Sequence, residues 1–172
     1  SSDHFAIVKQ HFVSEITSEK YDPTNIQMFF GEEYAPGAYA WIIPKGGQEA
    51  NIGTGIRLPM LKKGMTVSSA LNNLLKKHPI VSDIVRDSRI VHTIGGAVPV
   101  GLPFKTTVCD KRNVILIGDS CCQVVSSVGG GIPPAIVAGQ LAAKAIKGYL
   151  SEKGELVVYE QMWRSKMFKM FK

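Results

Sequence analysis

Two groups of residues in this chain have the types and spacing to handle a phosphate or a charged ring: Gly118-Asp119 and, ten positions on from Asp119, Gly129-Gly130-Gly131. An apolar run precedes them and a helix-forming stretch follows. A helix N-terminus carries unpaired N–H groups and about half a unit of positive charge. It can stabilise a phosphate, or the negative charge that builds on a reduced ring cofactor. Glycines let backbone approach a ligand with no Cβ in the way, and Asp119 could accept hydrogen bonds from sugar-like hydroxyls. The same residues also suit two ordinary roles, a tight turn and a helix cap, and the pattern alone leaves both readings open.

The elements that must position these residues are legible around them. Val114-Ile115-Leu116-Ile117 is a continuous apolar run, as expected of a strand buried on both faces in a parallel sheet. Ala135–Leu150 reads as a helix, with Pro133 and Pro134 in its first turn where missing N–H groups cost little. A second helix is expected from about Leu156 to the end. Upstream, Phe5–Val13 and Asn25–Gly31 are rich in β-formers. Ala38–Ile43 and Glu49–Arg57 flank the turn-forming Pro44-Lys45-Gly46-Gly47, which predicts a hairpin. Thr66 is placed to cap a helix carrying Val67, Ala70, Leu71 and Leu74, and Pro79 should end it. Ser88–Ile94 returns to strand character before a loop-like Gly95-Gly96-Ala97-Val98-Pro99. The expected class is therefore mixed α/β: an antiparallel sheet with one helical insertion over residues 1–105, then a strand, glycine-rich loop and helix over 106–172.

Composition narrows the function classes. With 45% hydrophobic residues in 172, the chain can bury a core. Its net charge of +6 is spread out, densest in the tail, where Arg164, Lys166, Lys169 and Lys172 alternate with Met162, Trp163, Met167, Phe168, Met170 and Phe171. Such a face suits the solvated side of an amphipathic helix, or contact with anionic headgroups. No motif with interleaved aromatics points to nucleic acid. Apolar stretches fall short of the roughly 20 residues a bilayer-spanning helix needs, and no signal-peptide pattern is read at the start. The three cysteines, Cys109, Cys121 and Cys122, form no CxxC pair and no disulfide framework, which fits the cytoplasm. No ligand spacing links His4, His11, His78 and His92, so no metal is expected.

Taken together, three segments carry a resemblance. Val114-Ile115-Leu116-Ile117-Gly118-Asp119-Ser120, then Gly129-Gly130-Gly131-Ile132 and Ala138-Gly139-Gln140-Leu141-Ala142-Ala143, resemble the second FAD-binding motif of para-hydroxybenzoate hydroxylase-like flavoproteins. Tyr39-Ala40-Trp41-Ile42-Ile43-Pro44-Lys45 with Asn51-Ile52-Gly53-Thr54-Gly55 is similar to the YxWxFPK…NxGxG signature of geranylgeranyl reductases, and Gly95-Gly96-Ala97-Val98-Pro99 falls at that family's GGxxP element. The resemblance covers about Gly37–Ala145 in family order. It implies an FAD-dependent oxidoreductase that saturates isoprenoid double bonds of lipids or their precursors. Gly118, Asp119, Gly129, Gly130, Gly131 and Ile132 would contact the flavin. Tyr39, Trp41, Pro44, Gly96 and Pro99 would line the substrate side, under a sheet that takes an isoprenoid lipid.

The match also departs from the family. Ser120-Cys121-Cys122 stands where Ala-Ala-Gly is usual, Val125-Ser126-Ser127-Val128 replaces an Asn-Pro region, and Ile43 replaces Phe. No G-x-G-x-x-G for the adenosine half of FAD follows a strand anywhere. The expectation is an internal piece of a longer protein, binding FAD weakly or not at all by itself, with peripheral membrane contact open for the parent.

Other residues are read more plainly. The histidines are expected to pack or face solvent, Cys109 to be a buried small hydrophobe, and Cys121-Cys122 to pack after a strand. Tyr39 and Trp41 divide between pocket lining and sheet packing, and Lys45 is a solvated turn charge. No catalytic acid or base emerges; the hydride chemistry would be the flavin's. Two other functions compete: an FAD-dependent aromatic-ring monooxygenase, which shares the Gly-Asp motif, and a non-catalytic module that binds apolar ligands.

Overall fold

A computed structural model describes residues 4–152 and 154–168. The tail residues Lys169, Met170, Phe171 and Lys172, and Ser1-Ser2-Asp3, lie outside them. The chain divides into two compact units, Ser1–Val98 and Pro99–Lys172.

The first unit is a five-stranded sheet with helices on one face. Its strands are β1 (Phe5–Ser14), β2 (Gln27–Phe29), β3 (Ala40–Gly46), β4 (Glu49–Arg57) and β5 (Arg89–Pro99), in spatial order β2-β3-β4-β1-β5. β3 and β4 form the expected hairpin, but its turn is tighter than the sequence suggests. Pro44 and Lys45 stay in β3, Pro44 faces Ala50 across the ladder, and the register shifts between Pro44 and Gly46. Gly46 and Gly47 take positive φ of 107° and 53°, which supplies the reversal. A proline lacks the N–H a regular ladder needs, so it fits beside this irregularity.

Helix α1 (Val67–Lys77) begins where Thr66 predicts. Ser69 N–H donates to Thr66 Oγ1 at 3.0 Å, and Thr66 N–H donates to Ser69 Oγ at 2.9 Å, a reciprocal capping box. Lys76 and Lys77 sit in the last turn, favourable to the helix dipole, and the helix stops at His78 before Pro79. Its buried Ala70, Leu71 and Leu74 pack with Val81 and Ile84 of the short α2 (Val81–Ile84) onto Val13, Ala40, Ile42, Ala50 and Ile52. Fully burying each such leucine or isoleucine contributes about 1.5–3 kcal/mol.

Two strand expectations are corrected in extent. Asn25–Gly31 shortens to β2, because Asp22 holds the preceding residues in a turn: its carboxylate accepts from Thr24 N–H at 2.8 Å and Asn25 Nδ2 at 2.7 Å. The loop-like Gly95–Pro99 is instead the second half of β5. Gly95 lies so close to β1 that a Cβ there would stand 2.9 Å from the Val8 carbonyl oxygen, so the glycine serves strand packing rather than a turn. Pro99 is the strand's last residue, where a missing donor is tolerated.

In the second unit, β6 (Val108–Cys109) and β7 (Val114–Ile115) form a two-stranded antiparallel ladder. The expected strand over Val114–Ile117 is thus short and antiparallel, and it is not buried on both faces: Val114, Leu116 and Ile117 are 43%, 38% and 39% exposed. Asn113, at φ 52°, reverses the chain just before the run and folds it back on β6. Helix α3 (Ile132–Glu152) packs Ala138, Ala142 and Ala145 against Tyr159, Trp163 and Met167 of α4 (Val158–Phe168). Small residues on α3 admit the large ones of α4, which accounts for Trp163 and Met167 of the tail pattern. Arg164 and Lys166 are exposed. Cys109 is exposed, correcting the buried reading, since β6 is an edge strand.

Candidate functional site

The Gly118-Asp119 turn is built by a left-handed start and a left-handed end. Gly118 has φ 63° and is buried; Cys122 has φ 57°. Between them a short 3-10 turn is closed by Cys122 N–H to the Asp119 carbonyl at 3.1 Å and by Gln123 N–H to the Gly118 carbonyl at 3.0 Å. This leaves the Asp119 side chain exposed.

Beneath it lies the start of α3. A Cβ on Gly131 would stand 2.7 Å from Asp119 Oδ1, so the carboxylate occupies space that only glycine leaves free. Gly129 has φ 63°, and Gly130 and Val125 exchange hydrogen bonds of 3.0 and 3.3 Å that close the intervening loop. Ala135 N–H donates to the Gly131 carbonyl at 2.9 Å, which makes Gly131 the entry to the helix. Pro133 and Pro134 have no N–H, so the donors at this end belong to Gly131 and Ile132, and Ile132 is exposed. The six residues expected at the cofactor therefore form one neighbourhood. A carboxylate for hydroxyls and a helix N-terminus for an anionic group stand side by side, a donor set that fits the sugar-alcohol and ring portions of a flavin.

In the first unit the sheet face opposite the helices carries aromatic residues. Tyr39 and Trp41 meet edge to face with ring centroids 5.8 Å apart, and Phe30 lies 6.3 Å from Tyr39. Trp41 is opposite Met28 on β2 and Gly53 on β4, and Gly53 is opposite Gln10 on β1. Across that glycine, Trp41 Nε1–H donates to Gln10 Oε1 at 3.1 Å. The indole donor is satisfied within the sheet, and its apolar ring is what the face presents.

The other residues expected on the substrate side are placed differently. Pro44 is opposite Ala50, a core residue on the helix-covered side, so strand alternation separates it from Tyr39 and Trp41. Gly96 is exposed on β5, at the far edge of the sheet from β2, with open space where a Cβ would be. Pro99 is buried and belongs to the second unit.

Sequence reading missed Gln10, which stands between Lys9 and His11 with nothing to mark it, and Gln123, a polar residue set between Cys122 and Val124. It also missed a cleft of about 570 Å³ in the second unit, lined by Leu102, Phe104, Val124, Trp163 and Met167 with Lys105 and Arg164 at hand. Cys121 and Cys122 are buried thiols; burial pushes Cys121 up to about 11 and raises Cys122 as well. Among the described residues no cluster of His, Cys, Asp and Glu could hold a metal ion.

The chain is similar to several known proteins. Residues 7–98 match the model of the geranylgeranyl reductase catalytic domain. Two digeranylgeranylglycerophospholipid reductases of Methanopyrus kandleri are 36% identical over 84% of this chain and 32% identical over 94% of it. The chain spans 37% and 42% of their lengths. A geranylgeranyl bacteriochlorophyll reductase-like protein of Thermoplasma acidophilum superposes with a TM-score of 0.83 at 21% identity, over 99% of this chain and 40% of that one. The flavin-dependent brominase Bmp2 superposes with a TM-score of 0.70 at 17% identity, over 94% of this chain and 40% of its own. Both of these are likenesses of fold.

Proposed function

Because this chain belongs to the geranylgeranyl reductase catalytic domain family, we propose that it works within a longer FAD-dependent reductase that saturates isoprenoid double bonds of lipids or their precursors. The first unit would receive the isoprenoid chain, and the second would be the C-terminal part of the FAD-binding domain. FAD, when bound and reduced, supplies the hydride for such a reduction.

The observation that carries this reading is the joining of Asp119 to the entry of α3 at Gly131. Asp119 would accept hydrogen bonds from ribityl hydroxyls. The N–H groups of Gly131 and Ile132, with the α3 dipole behind them, would favour negative charge on the pyrimidine side of the flavin. Gly129 and Gly130 keep that approach free of side chains. Tyr39 and Trp41 would hold the hydrocarbon and keep water from it; with its N–H given to Gln10, Trp41 offers a chain of methyl and methylene groups nothing polar to desolvate. Among the described residues no helix is long and apolar enough to cross a membrane, and collection of the lipid would require only surface contact with a bilayer.

The test uses the full-length encoded protein. It should purify with flavin absorbance, or regain it on addition of FAD. After chemical reduction, it should add two hydrogens per double bond to a geranylgeranyl lipid, read by mass spectrometry. A protein without flavin absorbance that FAD does not restore would sink this reading. Oxygen uptake coupled to a hydroxylated aromatic product would point to a monooxygenase instead.

A further inference from the structure

Gln123 and Tyr159 are fully buried polar residues in the second unit, and they touch each other. The Gly118 N–H donates to Gln123 Oε1 at 2.8 Å. Gln123 Nε2 donates to the Tyr159 hydroxyl at 2.8 Å, and the same hydroxyl lies 3.1 Å from Gln123 Oε1. Gln123 also donates its own backbone N–H to the Gly118 carbonyl. One residue therefore holds Gly118 at both its N–H and its C=O.

That double hold matters because the turn is not one the chain favours by itself. Both of its ends are left-handed, and Cys122 is not a glycine, so its conformation carries a cost that tertiary contacts must offset. The brace is anchored from outside the turn. Tyr159 comes from α4, fixed through Trp163 and Met167 onto the alanines of α3. Burial raises the Tyr159 hydroxyl above its ordinary value, so it remains a neutral donor and acceptor. A buried amide with its partners in place permits a single orientation, whereas one that has lost a partner is costly and searches for others.

We propose that Tyr159 and Gln123 are positioning residues for the cofactor turn: the α4 hydroxyl fixes the Gln123 amide, the amide fixes Gly118, and Gly118 aims the Asp119 carboxylate over Gly131. The inference rests on Gly118-Asp119 being the flavin contact. It adds that affinity for the cofactor is set in part from α4, by a group that never touches the ligand.

The experiment measures FAD binding to the deflavinated full-length protein by flavin fluorescence, together with thermal melting. Tyr159→Phe keeps the ring and removes the hydroxyl; it should weaken FAD binding about tenfold, the scale of one lost hydrogen bond. Gln123→Met, similar in volume and without an amide, should do the same and gives a second route if the first variant folds poorly. Thr66→Ala, a destabilising change in the other unit, should leave FAD affinity unaltered. In an Asp119→Ala background the further change Tyr159→Phe should add little, because the carboxylate it aims is gone. The proposal is overturned if Tyr159→Phe lowers the melting temperature without moving FAD affinity, or if its effect adds in full to that of Asp119→Ala. If Asp119→Ala alone leaves FAD affinity unchanged while the protein still binds FAD, the flavin-contact reading itself fails, and this inference with it.

Discussion

The Trp41 indole donates to the Gln10 side chain across Gly53, and this contact leaves no room for a Cβ on the glycine. A methyl group on Gly53 would stand 2.5 Å from Gln10 Cβ, 2.6 Å from Trp41 Cζ2 and 2.8 Å from the Lys9 carbonyl oxygen. Since one of these neighbours is backbone in the central pair of strands, the strain cannot be relieved by side-chain rotation alone. Gly53→Ala should destabilise the protein by about 1–3 kcal/mol, as overpacking does, and should shift tryptophan fluorescence. Thermal melting and an emission spectrum check it.

Gly131→Ala has the opposite balance. The atom its methyl would meet is Asp119 Oδ1, the tip of an exposed side chain that can swing away. The fold should survive, with a melting temperature near that of the wild type, while the carboxylate leaves its place. Equilibrium titration of the full-length protein should show FAD affinity reduced by about tenfold, the scale of one displaced charge-assisted hydrogen bond.

Alkaline pH should weaken the second unit through Cys121. Burial raises the thiol from an ordinary 9.0 to about 11, so the folded state keeps a proton that the unfolded state releases. The stabilisation is therefore complete below about pH 9 and is lost as pH rises toward 11. Denaturant melts of wild type and Cys121→Ala should differ in their pH slopes only within that window. At pH 8, with about one Cys121 in a thousand ionised, a thiol reagent should modify the exposed Cys109 and spare Cys121.

The acid side is governed in part by His78, where α1 ends. Its Nδ1 accepts from the N–H groups of Ile80 and Val81 at 3.3 and 3.4 Å, a role only the neutral ring can play at that atom. Burial lowers its pKa from the ordinary 6.5. Stability from the neutral ring is present above that value and declines as pH falls through the lower, folded-state value. His78→Ala should flatten the dependence of the melting temperature on pH below about 6.5.

At the other end of the same helix, Thr66→Ala should cost about 1 kcal/mol, since it removes the side-chain acceptor of the capping box. Chemical denaturation measures it.

How far the sequence foretold all this depended on whether the cause was local. The start of α1 at Thr66, its stop before Pro79, the β3–β4 hairpin and the entry of α3 at its two prolines follow from residues within a few positions, and they were legible. That Gly118, Asp119, Gly129, Gly130, Gly131 and Ile132 come together was legible, though not the contact between Asp119 and Gly131, which spans a loop. Gly95 was misread because its cause is the Val8 carbonyl on another strand, which sequence spacing does not show. Val114–Ile117 was misread because an apolar run does not state what will cover it. Pro44 could be assigned to the motif, but its side of the sheet depends on the register beyond Ile43. Gln10 and Gln123 had no motif at all; each acquires meaning only from the partner facing it.

The order β2-β3-β4-β1-β5 has a consequence for how the first unit forms. The β3–β4 hairpin can close locally, but β1, made before both of those strands, has to wait for Ala6 to find Arg57 and Val13 to find Ala50, and then for β5 to complete its other side. Such long loop closures precede any reward from pairing, so they slow folding. The emerging β1 segment, Phe5–Ser14, would stay unpaired until the hairpin has cleared the exit tunnel. The sheet that offers Trp41 its setting is therefore assembled late, around a strand synthesised before its partners.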